Sequence, residues 1–242
     1  MISCGSKTTT AASRHGGVAF DMEVIYKVVR TCIKLILRRG VRSSYGQFGE
    51  DAILQTLLKA RDGFFIDVGA FDPILYSNTY ALYRRGWSGI VIDPNAALRP
   101  LYRIFRRRDT FVCAAIGETG EGTYFRFKDA AYNTCSAEDA KKRQEESGLT
   151  LLSTQPVPFR PLKSIVKEYG ITKLDLMNID VEGMDLAVLR SHDWSVRPRV
   201  IAIEDSDFDP DVPDQSPAYS FLREKGYRLK GFARLTLVFV SE

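Results

Sequence analysis

Four carboxylates in this sequence stand where apolar runs stop. Asp67 lies in Gly63–Pro73 (GFFIDVGAFDP), and Asp93 ends the run in Gly89–Asn95 (GIVIDPN). Asp180 closes Leu174–Asp180 (LDLMNID), and Glu204, followed by Asp205, closes Val200–Glu204 (VIAIE). Runs rich in β-branched and aromatic residues read as strands covered on both faces. In an open α/β sheet, ligands sit outside the carboxyl ends of such strands. The acids should therefore meet at one rim. That clustering is costly unless a cation or bound hydrogen-bond donors offset it.

The first two runs form a pair. Gly69 permits a sharp turn and close approach of another molecule, and Asp72 lies just past it. Asp67 and Asp93 are 26 residues apart, room for one crossover helix over Tyr76–Arg85. A strand, a glycine turn, a helix and a strand ending in an acid make a nucleoside-binding unit, whose second acid can accept both ribose hydroxyls. A dinucleotide site asks for G-x-G-x-x-G around a pyrophosphate. Here the turn reads D-V-G-A-F-D, and acids would repel a pyrophosphate. They suit a ligand with an amino group and a sulfonium, so S-adenosylmethionine fits better than NAD.

Asp180 and the Glu204-Asp205 pair remain for chemistry. Methyl transfer to a hydroxyl needs the proton removed at or near attack. A carboxylate can do this as general base. Alternatively, Asp180, Glu204 and Asp205 could hold a hard divalent cation such as Mg²⁺, which lowers the hydroxyl's pKa and orients it. His192, in RSHDW, reads as a cap at a helix C-terminus rather than a base.

The elements that position these residues are legible in outline. With 242 residues, 45% hydrophobic and 26% charged, the chain has the size and composition of one soluble α/β domain plus an appendage. A net charge of +4 is mild and does not imply nucleic acid. Cys4, Cys32, Cys113 and Cys135 are scattered, with no C-x-x-C, which points away from a zinc site or disulfide framework and toward a reducing cytoplasm. No uncharged run is long enough to span a membrane.

Residues 1–21 read as a disordered Ser/Thr/Gly-rich tail. Residues 22–43 carry a basic amphipathic helix, Met22–Arg39, expected to pack through Ile25, Val28, Val29, Cys32 and Ile36 or to lie on an anionic membrane surface. The main domain covers 44–242. Arg99, Arg103, Arg106, Arg107 and Arg108 read as a solvated helix face. Phe111–Gly117 reads as a third strand and Gly122–Phe127 as a further one. Asp129–Gln155 is polar, charged and as long as a lid insertion over the acceptor. Helices at Pro161–Tyr169, Gly183–Arg190 and Pro217–Lys225 alternate with strands, and Tyr227–Phe232 with Leu235–Val240 form a terminal antiparallel hairpin.

Four motifs in this order, SYGQFGEDAIL, GFFIDVGAFDPILYSNTYAL, GWSGIVIDPN and LDLMNIDVEGMDLAVLRS, resemble the FkbM-type methyltransferases over roughly Ser44–Glu204. The resemblance implies a class I Rossmann-like fold, with a mostly parallel seven-stranded sheet, an antiparallel C-terminal hairpin and helices on both faces. It implies S-adenosylmethionine-dependent O-methylation of a hydroxyl on a sugar, glycan or glycosylated natural product. It implies that Gln47, Gly49, Glu50 and Asp51 help close the cofactor site. Asp67, Gly69 and Asp72 would form its glycine turn, with Asn78 nearby, Asp93 on the ribose and Asp180 beside the methyl group. Many members carry Glu where Asp93 stands and Asn where Phe71 stands. Two other readings compete: a NAD- or nucleotide-sugar-binding oxidoreductase, and a non-catalytic, membrane-docked protein of the same fold.

Overall fold

The computed structural model describes residues 44–242 and, before them, only Met22, Tyr26, Val29, Arg30, Cys32 and Ile33, which are helical and exposed. The expected tail, and the expected basic helix apart from these six positions, lie outside the described residues. Ser44–Glu242 forms a unit of its own.

Seven strands make the central sheet: β1 (Phe64–Val68), β2 (Ser88–Ile92), β3 (Thr110–Val112), β7 (Leu176–Ile179), β8 (Val200–Glu204), β9 (Tyr227–Ala233) and β10 (Thr236–Ser241). Their order is β3-β2-β1-β7-β8-β10-β9. The first five run parallel, and the β9–β10 hairpin is antiparallel. Helices cover both faces, as apolar runs without a polar side require. On one face, Ile66, Val68, Met177 and Ile203 pack with α5 (Leu162–Glu168), α6 (Asp185–Arg190) and α7 (Pro217–Glu224). On the other, Phe65, Val91, Leu176 and Ala202 pack with α1 (Glu50–Leu57), α2 (Tyr80–Arg85) and α3 (Arg99–Phe105). Strand alternation places Asp67 on the same side as Phe65, and Asn178 beside it in register on β7.

Helix starts follow local chemistry. Ser216 accepts a hydrogen bond from Tyr219 N with Pro217 at the first helical position of α7, which satisfies orphan donors there. Ser136 does the same for Asp139 N at α4 (Ala137–Glu145).

Two strand expectations need correction. Phe111–Gly117 is not one strand: β3 ends at Val112, and Ala115–Ile116 forms β4 in a second sheet. That sheet has the order β4-β6-β5, with β5 at Gly120–Phe127 and β6 at Leu151–Arg160. β6 begins inside the segment expected to be an irregular insertion. Pro156 and Pro158 disguise it, since proline cannot donate to a ladder. They are accommodated because β4 pairs only with Phe159 and Arg160, leaving the rest of that edge open. The remainder of 129–155 holds a short 3₁₀ turn at Ala130–Tyr132 and α4.

Arg106 is the third correction. Arg103, Arg107 and Arg108 are exposed, but Arg106 is fully buried. It turns inward just after α3 and pairs with Asp109 at 2.6 Å. Its other nitrogens donate to Ser77 Oγ at 3.1 Å and Thr79 Oγ1 at 3.0 Å. The rings of Phe65, Tyr83 and Tyr102 surround it. A buried guanidinium survives only when compensated; here each of its three nitrogens has an acceptor and aromatic faces surround the rest.

Candidate active site

A cleft of about 690 Å³ opens over the carboxyl ends of β1, β2, β7 and β8. Gly69, Asp93, Asn78, Glu50 and Gln47 line one part, and Asp180 and Glu204 line another.

The glycine turn is steric in origin. Gly69 has φ +82°, and a Cβ there would stand 1.6 Å from the Asp180 carbonyl oxygen. Gly69 N and Ala70 N both donate to Ile92 O, so the turn is tied to the end of β2. Tyr102 Oη donates to Ala70 O at 2.5 Å and fixes it from the helix side. Asp93 emerges just past β2. Its carboxylate accepts from Asn95 N at 2.7 Å and Phe71 N at 3.2 Å. Burial pushes its pKa up to about 7 against those two bonds. Phe71 at φ +37° shows what replaces a polar residue there: its backbone, not its side chain, meets Asp93.

Asp67 does not reach the cleft. It is 2% exposed on the helix side of β1, accepting from Thr79 Oγ1 at 2.5 Å and Asn178 Nδ2 at 2.8 Å. Burial raises its pKa, with Arg106 as the chief opposing charge. Strand alternation explains the placement, so Asp67 orders the turn from behind. Asp72 is likewise structural: Oδ1 accepts from Ile74 N and Leu75 N, closing a local turn outside the cleft. Asp51, fully buried, accepts from Ser44 Oγ at 2.5 Å and Tyr45 N at 2.9 Å and pins the approach to α1. Gly49 serves α1 as its left-handed first position, φ +90°. Of that motif, Gln47 and Glu50 line the cleft and Gly49 and Asp51 do not.

The acid half gathers a different trio from the one expected. Carboxylate oxygens of Asp180, Glu182 and Glu204 lie within 4.8 Å of one another. Asp205 turns away: its carboxylate accepts from Ser216 Oγ at 2.5 Å, and its N–H donates to Leu235 O. Glu182 takes its place because the backbone at 182 adopts φ +58°. Its carboxylate pairs with Arg143 of α4 at 2.5 Å. Asp185 sits behind, accepting from Val181 N and Gly183 N.

These acids raise one another. Burial holds Asp180 well above the usual carboxylate range, and the charges of Glu204, Glu182 and Asp185 add to it. Burial, then Glu182 and Asp185, lifts Glu204 to about 8. Burial raises Glu182 too, with Arg143 opposing. The carboxylates of Asp180 and Glu204 lie within 4.8 Å of each other, so the charge on either one affects the proton on the other. Near neutral pH such a cluster retains a proton or receives a cation, and a carboxylate left ionised in it is a stronger base than usual, able to take a proton from a donor placed in the cleft.

His192 is buried and outside the cleft. Its Nδ1 accepts from Trp194 N at 2.8 Å, and burial lowers its pKa. Its side chain is not the helix cap expected: it accepts from a backbone N–H beyond the helix and donates to no helix carbonyl. Sequence reasoning missed Glu182, Arg143 and Arg106. Glu182 stood in view in the IDVEG motif, whereas nothing local marked the two arginines.

The fold and cleft define an α/β protein with a glycine turn and a carboxylate cluster at one sheet rim. Residues 67–229, well over half the chain, match the family described as Methyltransferase FkbM domain, and the chain belongs to that family. Methyl transfer is its class of activity, and a methyl donor its expected cofactor. No curated protein matches the chain. No helix among the described residues is long and apolar enough to cross a membrane.

Proposed function

We propose that the protein is an S-adenosylmethionine-dependent O-methyltransferase with the class I Rossmann-like fold, acting on a hydroxyl of a sugar, glycan or glycosylated natural product. The observation that carries this is one cleft with two unlike halves. One half offers the Gly69 turn, which lines the cleft, and Asp93, an acceptor suited to a ribose. The other offers Asp180, Glu182 and Glu204. The residues present fit the methyl donor: an acid at the end of β2, and no glycine-rich cradle for a pyrophosphate. When bound, the donor supplies an electrophilic methyl group on a sulfonium.

Asp93 would hold the ribose, while Gln47, Glu50 and Asn78 would surround the donor's amino-acid end. The Asp180–Glu204 pair would accept the hydroxyl proton as the oxygen attacks. Arg143 would keep Glu182 ionised and aligned. α4 and the turn before it would form a wall over the acceptor.

One observation favours a second version of the step. Three hard oxygen donors within 4.8 Å suit a divalent cation such as Mg²⁺, held by Asp180, Glu182 and Glu204. Calorimetric titration with S-adenosylmethionine and, separately, NAD tests the reading. Binding of NAD alone would transfer support to an oxidoreductase, and binding of neither to a non-catalytic protein.

A further inference from the structure

The six residues described ahead of Ser44 are all helical and all exposed. Four of them are large and apolar: Met22 is 78% exposed, Tyr26 65%, Val29 49% and Ile33 49%. Their spacing of four, three and four residues puts them on one face of a helix. Arg30 flanks that face, four residues after Tyr26 and three before Ile33. A contiguous exposed apolar stripe with a charged border marks a surface that meets something.

The distribution of charge says what it meets. Residues 1–43 hold eight lysines and arginines against two acids, Asp21 and Glu23, a balance of +6. The whole chain is +4, so residues 44–242 carry −2. All of the positive balance therefore sits in the segment that bears the stripe. Six of those cations, Lys27, Arg30, Lys34, Arg38, Arg39 and Arg42, lie between Met22 and Ser43, where Glu23 alone opposes them. A second copy of the helix laid on the first would set like charges against like, and a nucleic acid would leave the stripe in water. An anionic bilayer answers both features, since apolar side chains enter the acyl boundary and cations meet the headgroups.

We propose that this helix is an interfacial anchor: Met22, Tyr26, Val29 and Ile33 enter the acyl boundary of an anionic bilayer while Arg30 and the other cations of residues 22–43 meet its headgroups. Residues 44–242, with their negative balance, gain no electrostatic attraction to such a surface, so attachment depends on the segment before them. The inference stands apart from the methyl-transfer reading.

The experiment floats the full chain with vesicles of phosphatidylcholine alone and of phosphatidylcholine with about one third phosphatidylserine. Each lysine or arginine near such a surface strengthens partitioning by about fivefold, so binding to the anionic vesicles should exceed binding to the neutral ones by about tenfold or more. It should weaken steeply as salt rises. Tyr26→Ser combined with Ile33→Ser leaves the charge unchanged and should lower the partition by about tenfold through lost apolar burial. Lys27→Gln combined with Arg30→Gln leaves the stripe unchanged and should lower it by about as much while flattening the salt dependence. A wild type that floats with neither vesicle, or with both alike, overturns the inference, and that comparison needs no variant to fold. A stripe variant that binds as the wild type does also overturns it, because the cations alone would then suffice. So does a wild type that self-associates in light scattering through the same four side chains without binding vesicles, since a second copy would then cover them.

Discussion

At the scale of single residues, two carboxylates divide the work. Asp93 fixes the turn through Phe71 N and Asn95 N and still faces the cleft. Replacing it with alanine should weaken S-adenosylmethionine binding by about 2 to 4 kcal/mol, the loss of paired, charge-assisted bonds. Unchanged affinity by calorimetry would remove Asp93 from the ribose. Asp180→Asn keeps shape but not charge. It should lower turnover by about 10²- to 10⁴-fold, the usual worth of general-base help, with donor affinity changed far less. Full activity in that variant would exclude Asp180 from the step. A chelator separates the two versions of the chemistry: lost turnover restored by Mg²⁺ supports a bound cation, and chelator-resistant turnover leaves the Asp180–Glu204 pair as base. The strand-end acids were legible as a set, but their individual roles were not. A strand alternates faces, so Asp67 in FFIDV went behind the sheet with Phe65, while Asp93 and Asp180, one residue past their strands, escaped the alternation. Asp205 was lost from the trio for an equally local reason, its bond to Ser216, which no spacing rule discloses.

At the scale of elements, α4 is the piece whose position matters most to the chemistry. It reaches the acid cluster through Arg143, and Asp139 lies where a Cβ on Gly183 would stand, at 1.9 Å. Gly183, at φ +102°, thereby lets α4 close against the IDVEG loop. Arg143→Ala should leave the fold and donor affinity near wild type. It should reduce turnover, because Glu182 then loses the one cationic partner it has among the described residues and takes up a proton more readily. Steady-state rates at saturating donor, with calorimetric affinity alongside, measure this. An equal loss in both would make α4 part of donor binding instead. Cutting out 129–155 whole would be a poor test of the same point, since β6 begins at Leu151 and carries the second sheet. The helices and parallel strands with clean apolar periods were readable, but α4, almost wholly polar, was not. β6 was not, because two prolines and the polar stretch SerThrGln hide a strand whose second edge is paired only at Phe159 and Arg160.

At the scale of the whole molecule, the structure keeps an unusual number of carboxyls out of water. Asp109 is lifted to about 6, Asp93 and Asp185 to about 7 and Glu204 to about 8, and Asp67 and Asp180 are raised as well. Burial is the first cause in each case. In the unfolded chain these groups would titrate near 3.8 for aspartate and 4.5 for glutamate. Between those values and the folded ones, the native state holds more protons than the unfolded state. Stability therefore declines as pH rises through that window. His192 acts the other way, since its pKa is lowered and its contribution fades as pH falls below about 6.5, but it is one group against six. The melting temperature, or the denaturant midpoint, should fall steadily from pH 5 to pH 8 and level off above. A flat or rising profile would contradict the buried, proton-holding cluster. The same titration examines the cleft. If Asp180, Glu182 and Glu204 accept a cation in place of their protons, added Mg²⁺ should recover much of the stability lost at pH 8 and little at pH 5, where protons compete. No recovery at pH 8 would leave the proton as the cluster's own counter-charge and the carboxylate pair as the base.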